Sequence, residues 1–438
     1  MDDLIAGRAQ MGISLAFHII FAALGVGLPA LMAMAHFVAL KRKDPVWQRL
    51  TERIARTFTV LVVIGVISGI VISVELALLW PDFMERAGPV IGVPISLETY
   101  AFFFEAIFLA LYLFGRDRLS PWAHWACLIP VCIGGLLSAA IIVSVNAWMN
   151  TPDGFRYVNG EFTDPDIVDA VFNPSMPGEV LHMIGAAYVA TGFACAAVYG
   201  TAMLRGRRTP YERAGLALGM TLVAFWILPL GVGGDLAGRL LHENQPAKLA
   251  AMENLRETEK GAGLTIGGLV IDGENRFGIT IPYGLSLLVG RDPDTVVKGL
   301  DEFPEDERPP VPPVRYGFSV MVGIGTLLAI GFLAYWFGRW RRPSLLENKW
   351  VLRTLVACGP LSFVAIEAGW VVTEMGRQPY IVYGYRRVSE SLTTSSLVDV
   401  MLFVFTLLYV LLSVVLVSAL RSELALLPRK ARRPAEAH

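Results

Sequence analysis

The chain has 438 residues, of which 54% are hydrophobic and 17% charged, and its mean hydropathy is +0.54. That is too apolar for a soluble fold of this length. The net charge of −1 is informative only through its distribution, and no nucleic-acid partner is expected.

Apolar stretches of about 20 residues recur, each long enough as a helix to cross ~30 Å of hydrocarbon. They predict an all-α membrane protein with nine spans: 11–38, 55–79, 96–115, 123–147, 179–204, 214–235, 315–338, 350–374 and 393–420. The first is too long and too glycine-punctuated for a cleavable signal, and no small-residue cleavage site follows, so the N-terminus is expected to be retained. Alternate connections collect the basic residues: Lys41 to Arg53, Arg116 and Arg118, Arg205 to Arg213, Arg339 to Lys349, and the tail with Arg429, Lys430, Arg432 and Arg433. The intervening 80–95, 148–178 and 375–392 are poor in them. Cytoplasmic loops hold the positive charge, which puts the N-terminus outside and the C-terminus in the cytoplasm.

Threaded this way, the polar residues inside the spans take up depths in chain order. His18 lies about two turns into span 1 from the outer face. Glu75 closes span 2 near that face, within Val74-Glu75-Leu76-Ala77-Leu78-Leu79. Glu98 opens span 3, and Glu105 follows seven residues later on the same helix face, about 10 Å deeper. His182 is about one turn into span 5, Met321 enters span 7 from outside, and Glu367 is about two turns below the outer end of span 8. A charge at mid-bilayer costs about 2.5 kcal/mol or more, so such residues default to a functional reading. Those six side chains (His18, Glu98, Glu105, His182, Met321, Glu367) form an outer-leaflet layer.

The connection 236–313 is far longer than a usual helix connection, and loops of that size are commonly functional or disordered. It divides the chain into helices 1–6 (1–235), an outer loop (236–313), and helices 7–9 with the basic tail (314–438). Its start is charged and helix-compatible, its middle (263–287) is glycine-rich with short β-favouring stretches, and its acidic, proline-rich end reads as an extended linker. Lys248 and Glu253 flank Leu249-Ala-Ala-Met252, which alone is an ordinary amphipathic fragment.

Of six histidines, His36 and His124 fall at cytoplasmic span ends, His242 is assigned to a loop, and His438 is terminal. One candidate histidine remains on each of two helices. Zinc would want more His or Cys, and a carboxylate-bridged site more acids on facing helices. Isolated His, Met and Glu on separate helices suit axial ligation of haem iron, where His/Met pairing gives an electron-transfer haem. Other readings stand beside this one. A lone histidine is commonly a packing residue, a methionine fills gaps, and an intramembrane glutamate serves equally as the proton site of a transporter. A transporter predicts internal repeats and broken helices near the midplane; no convincing repeat is present, and the polar residues avoid the midplane. Cys127, Cys132, Cys195 and Cys358 lie within spans without a CxxC or CxxCH pattern, so any haem would be held non-covalently.

The run Glu367-Ala-Gly-Trp-Val-Val-Thr-Glu-Met-Gly-Arg-Gln-Pro379 resembles the signature of subunit I of the cytochrome bd family of quinol oxidases. The likeness extends along the chain through Arg8-x-Gln10 with Phe17-His18, Phe103-Phe104-Glu105, Gly115-Arg-Asp-Arg-Leu119, Asn146-x-Trp148-Met149, His182, Lys248-Leu-Ala-Ala-Met-Glu253 and Met321. It implies that His182 and Met321 ligate a low-spin haem b. His18 and Glu367 would serve two high-spin haems, one haem b and one haem d, with Glu98 a further ligand or near-ligand. Glu105 would relay protons, Lys248 and Glu253 would bind or deprotonate quinol, and Trp370 would lie among the haems. Arg8 and Arg377 are assigned to haem propionates by depth and charge. The resemblance further implies a bacterial cytoplasmic membrane, a second membrane subunit and a small single-span subunit. It implies oxygen reduction with cytoplasmic protons, electrogenic without a pump. Three departures stand out: Glu98 and Glu105 are seven rather than eight apart, Ser319 replaces an arginine two residues before Met321, and Glu75 is unassigned. A relative retaining haem b alone, with an altered electron donor, is the neighbouring alternative.

Overall fold

The structure, a computed structural model, describes residues 2–425. The basic run from Arg429 to Arg433 lies outside the described residues. In chain order the elements begin with α1 (Asp3–Arg42), α2 (Pro45–Leu79), α3 (Pro81–Phe114), α4 (Pro121–Ala126) and α5 (Leu128–Asn150). The strands β1 (Arg156–Val158) and β2 (Glu161–Thr163) and the helices α6 (Ile167–Val171), α7 (Met176–Leu204), α8 (Pro210–Asn244) and α9 (Pro246–Glu253) follow. The long connection that follows α9 holds β3 (Glu259–Lys260), β4 (Leu264–Ile266), β5 (Leu269–Ile271), β6 (Glu274–Arg276), β7 (Ile279–Ile281), α10 (Gly284–Gly290) and β8 (Val296–Val297). The described chain ends with α11 (Val311–Arg341), α12 (Lys349–Gly376), β9 (Tyr380–Val382), β10 (Arg386–Arg387) and α13 (Val398–Ala425). Among the described residues nine helices are long and apolar enough to cross a membrane, with α4 and α5 counted as one.

Helix starts follow local chemistry. Asp44 before Pro45, Ser120 before Pro121 and Thr209 before Pro210 each accept a backbone N–H, and Asn348 does so for α12. Proline at the first position has no N–H to leave unpaired and already holds a helical φ.

Three expectations change. Residues 81–95, read as an outer connection, form the first turns of α3. Phe83, Ala87, Val90 and Ile91 are buried there at helical spacing, an amphipathic stripe too polar on its other face for a hydropathy window. His242 sits in the last turn of α8 rather than in a loop. The acidic stretch before α11 holds two 3-10 turns, Leu300–Glu302 and Glu305–Glu307, in place of an extended linker. The glycine-rich middle does form β structure, two antiparallel pairs, β4 with β7 and β5 with β6, and β3 pairs with β8 on either side of it.

The tightest helix pairing, α7 on α8, is built by glycine. Gly178, Gly185 and Gly192 recur every seven residues, so all three face one seam. A Cβ on Gly178 would meet Ala237 N at 3.0 Å, one on Gly185 Leu230 Cα at 2.9 Å, and one on Gly192 Gly219 O at 2.8 Å. Backbones approach this closely in membranes only where small residues line the contact. One central apolar cluster takes in Phe17 and Ile19 of α1, Met183 and Ile184 of α7, and Ile366 and Trp370 of α12. Phe114, Phe225, Leu228 and Phe403 point outwards, between 67% and 82% exposed, as expected of surfaces that meet lipid or another subunit.

Candidate functional site

The candidate iron ligands sit on four helices around that cluster. His18 Nδ1 and Ser68 Oγ on α2 are 2.9 Å apart. Ser68 already donates to Gly65 O at 3.0 Å, so the ring nitrogen is the donor and Nε2 keeps its lone pair. His182 repeats the device: Nδ1 donates to Leu230 O of α8 at 3.2 Å, again leaving the Nε2 lone pair free for a ligand. That carbonyl lies where the glycine seam brings α8 against α7.

Each of three candidates also faces a glycine. A Cβ on Gly69 would lie 3.1 Å from His18 Cε1, one on Gly234 3.1 Å from His182 Nδ1, and one on Gly369 3.0 Å from Met321 Sδ. Gly369 stands between Glu367 and Trp370, so α11 delivers the Met321 sulfur to their level on α12. Glu367 Oε1 and Trp370 Nε1 are buried without a hydrogen-bond partner. Arg377 donates to Glu374 Oε2 at 2.5 Å, while its Nε and Nη1 are buried and unpartnered, as are Arg239 Nε and His242 Nδ1. Buried orphan donors of this kind call for an acceptor. Two oriented imidazoles, a thioether, a free carboxyl oxygen and unpaired arginine N–H groups fit haem iron and haem propionates. Arg8 is partly buried in α1. Ser319 Oγ, where the family pattern has arginine, is buried without a partner.

Glu98 and Glu105 both turn towards α5. Ser138 Oγ donates to Glu98 Oε1 at 2.7 Å. Glu105 is 6% exposed and packs on Gly134 and Gly135, where a Cβ on Gly134 would come within 2.8 Å of its own Cβ. Spacing of seven keeps both acids on one face, so the register of span 3 is consistent within this chain. Glu75 is fully buried on α2 and accepts from Gln10 Nε2 of α1 at 3.2 Å.

Lys248 and Glu253 of α9 are 2% and 5% exposed, which removes the reading of a solvated face. Five residues apart on a helix, they point about 140° from each other. The Lys248 stem crosses the end of α12 at Gly376, and its Nζ donates to Asn150 Oδ1 at 2.7 Å. Asn150 Nδ2 donates to Asn146 Oδ1 at 3.1 Å, and Asn146 Nδ2 to Glu374 Oε1 at 2.7 Å. A continuous polar chain thus runs from Lys248 to Arg377. Burial pushes the Lys248 amine down to about 7, with Glu179 acting against that shift. Burial pushes the Glu253 carboxyl up to about 7, with Arg315 acting against it. Sequence reasoning missed Asn150, Glu374 and Arg315. Glu374 lay inside the 367–379 run and Asn146 inside a quoted motif, but nothing local signalled that they meet.

Residues 6–427 match the family described as cytochrome bd terminal oxidase subunit I. The chain is 37% identical, over 96% of each sequence, to the Bacillus subtilis (strain 168) protein named "Putative cytochrome bd menaquinol oxidase subunit I". It is 30% identical to the cytochrome bd ubiquinol oxidase subunit 1 of the same organism, over 95% of this chain and 92% of the relative. Among solved structures, the bd oxidase from Geobacillus thermodenitrificans superposes with a TM-score of 0.93 at 41% identity, covering 98% of this chain and 99% of that one. Fold, length and sequence agree from end to end, and the chain belongs to the cytochrome bd terminal oxidase subunit I family.

Proposed function

We propose that this chain is the haem-bearing subunit of a terminal quinol oxidase in a bacterial cytoplasmic membrane, oxidising quinol at its outer face and reducing oxygen to water. The orientation is N-terminus outside and C-terminus in the cytoplasm, which the basic residues of alternate connections support, Arg116 paired with Glu52 and Arg208 and Arg213 with Glu347. The work is divided among helices 1–6, the outer segment 236–313 and helices 7–9. A second membrane subunit completes the oxidase, and a small single-span subunit joins it.

Bound haem supplies electron transfer and oxygen reduction, and the residues of this chain hold and insulate it. His182 and Met321 hold the low-spin haem b. His18 and Glu367 would hold the high-spin haem b and haem d, Glu98 would be a further ligand or near-ligand, and Trp370 would lie among the haems. Arg8 and Arg377 receive propionates, the latter through N–H groups that have no protein partner. Lys248 binds the quinol headgroup and Glu253 takes a proton from it, releasing it outside. Glu105 passes cytoplasmic protons towards the oxygen-reducing site. Protons consumed near the outer face cross most of the bilayer, so charge is separated without a pump.

The single observation that carries this reading is the hydrogen-bonded polar chain from buried Lys248 and Asn150 through half-buried Asn146 and Glu374 to buried Arg377. It joins the outer-segment helix α9 to the end of the helix bearing Glu367 and Trp370. The test is a reduced visible spectrum and quinol-dependent oxygen uptake of the purified complex. Haem bands with quinol-driven uptake are expected. A preparation without a Soret band overturns the reading, and one without a red-shifted chlorin band removes haem d.

A further inference from the structure

By sequence, Arg315 is a single basic residue at the mouth of an apolar span. In the structure it is 1% exposed, and its guanidinium ties together three segments. Nη1 donates to Met252 O at 3.0 Å and to Glu253 Oε2 at 3.2 Å. Nη2 donates to Thr265 O at 2.7 Å and Gly267 O at 2.8 Å. The first pair fixes the C-terminal end of α9, the second fixes β4 and the turn that follows it, and the stem belongs to α11. Gly267 and Gly268 both have positive φ, +68° and +90°, a conformation that side chains other than glycine rarely adopt. The next residue joins in: Val270 N donates to Tyr316 OH at 3.1 Å. Only a planar fork can bond a carboxylate and three carbonyls at once; the lysine ammonium is a single point.

We propose that Arg315 is the positioning residue of quinol oxidation: it holds the Glu253 carboxylate ready to accept a quinol proton and fixes the β4–β7 hairpin over α9. This rests on the reading of α9 as the quinol site. In the quinol half-reaction two O–H bonds break and two electrons pass to the oxidase. Glu253 takes one proton and water at the outer face takes the other.

The charge environment makes the role measurable. Burial raises Glu253, and the Arg315 charge and hydrogen bond lower it, leaving the carboxyl at about 7. Among the described residues Arg315 is the charged group acting on Glu253. The hairpin presents the Thr265 and Gly267 backbone there, and Lys248 on the same helix faces α12, with Glu374 and Arg377 beyond it and Glu179 of α7 beside it. Removing Arg315 leaves burial opposed only by the Thr265 backbone hydrogen bond, so the acceptor fills with protons at higher pH. An opposite charge at this range moves a carboxyl by about one pH unit or more.

The experiment uses the complete oxidase with its second subunit, carrying Arg315→Lys, Arg315→Gln or Glu253→Gln. It measures the pH profile of quinol-driven oxygen uptake, the reduced visible spectrum, and oxygen uptake from an artificial one-electron donor. In Arg315→Gln, which removes the charge and the fork, the acid limb of the quinol profile should move to higher pH by about one unit, about tenfold slower uptake on that limb, while artificial-donor uptake stays. Arg315→Lys keeps the charge and loses the fork, so its haem bands and artificial-donor uptake should stay and the limb should move the same way by a smaller amount; if Arg315→Gln loses its haem bands, Arg315→Lys decides alone. An unmoved limb in Arg315→Lys, with Glu253→Gln impaired, overturns the role of Arg315 and leaves the quinol site standing. An unimpaired Glu253→Gln overturns the site reading itself, and the proposal with it.

Discussion

Gly233→Ala tests how closely the α7–α8 seam governs the His182 environment. A Cβ at Gly233 would lie 2.6 Å from His182 N, 2.9 Å from His182 Cα and 3.0 Å from Leu181 C, whereas ordinary contact begins at 3.4 Å. All three are backbone atoms, so no side-chain rotation relieves the clash, and the helices must part by about 0.8 Å in a close-packed interior. Overpacking of this kind costs about 1–3 kcal/mol, about 5- to 150-fold in the fraction of protein holding the native geometry. The shift falls on the ligand residue itself and on the Leu230 carbonyl that orients its ring. Gly231→Ala is the control: it makes the same chemical change two residues away, with nothing within 4 Å of the new methyl. Reduced-minus-oxidised spectra of the purified oxidase should show the low-spin haem b band weakened or displaced in Gly233→Ala, with the high-spin bands retained, and no change in Gly231→Ala. Indistinguishable spectra and equal thermal midpoints for the two variants would refute the reasoning.

Other perturbations give separable outcomes. Burial lowers the Lys248 ammonium well below a free amine, with Glu179 acting against the shift, so its charge is present at acid pH and lost as pH rises through a value below the usual lysine range. The quinol KM should therefore climb on the alkaline side, and Lys248→Arg should flatten the climb; a wild-type KM independent of pH from 6 to 9 would contradict the assignment. Lys248→Met leaves Asn150 Oδ1 buried without its donor, at a cost of about 1–3 kcal/mol, and should raise KM while kcat changes little. His182→Ala should abolish the low-spin signal alone, and survival of that signal would sink the assignment. Ser138→Ala removes the 2.7 Å hydrogen bond to Glu98; slower oxygen uptake with unaltered low-spin bands is expected, and uptake at the wild-type rate would argue against a role for the Glu98–Glu105 face.

Much of this protein can be read along the chain because the bilayer imposes one-dimensional rules. Apolar runs of about 20 residues must become helices, and these yielded the nine spans. The seven-residue spacing of Glu98 and Glu105 fixed a shared face, and the 367–379 run carried the family. Where charge and burial mix, the rules lapse. The start of α3 escaped because its buried stripe of Phe83, Ala87, Val90 and Ile91 is diluted by acids and Arg86, and His242 escaped because α8 continues past its apolar stretch. Which partners meet is a property of helix packing alone. Asn150 and Lys248 are 98 residues apart, Asn146 and Glu374 are 228, and Glu253 and Arg315 are 62. Composition gave Lys248 and Glu253 as ordinary charges on an amphipathic helix. Only the tertiary structure, by burying one against Asn150 and the other against Arg315, brings both close to neutral pH, because removal of water is what shifts them and no local pattern records it.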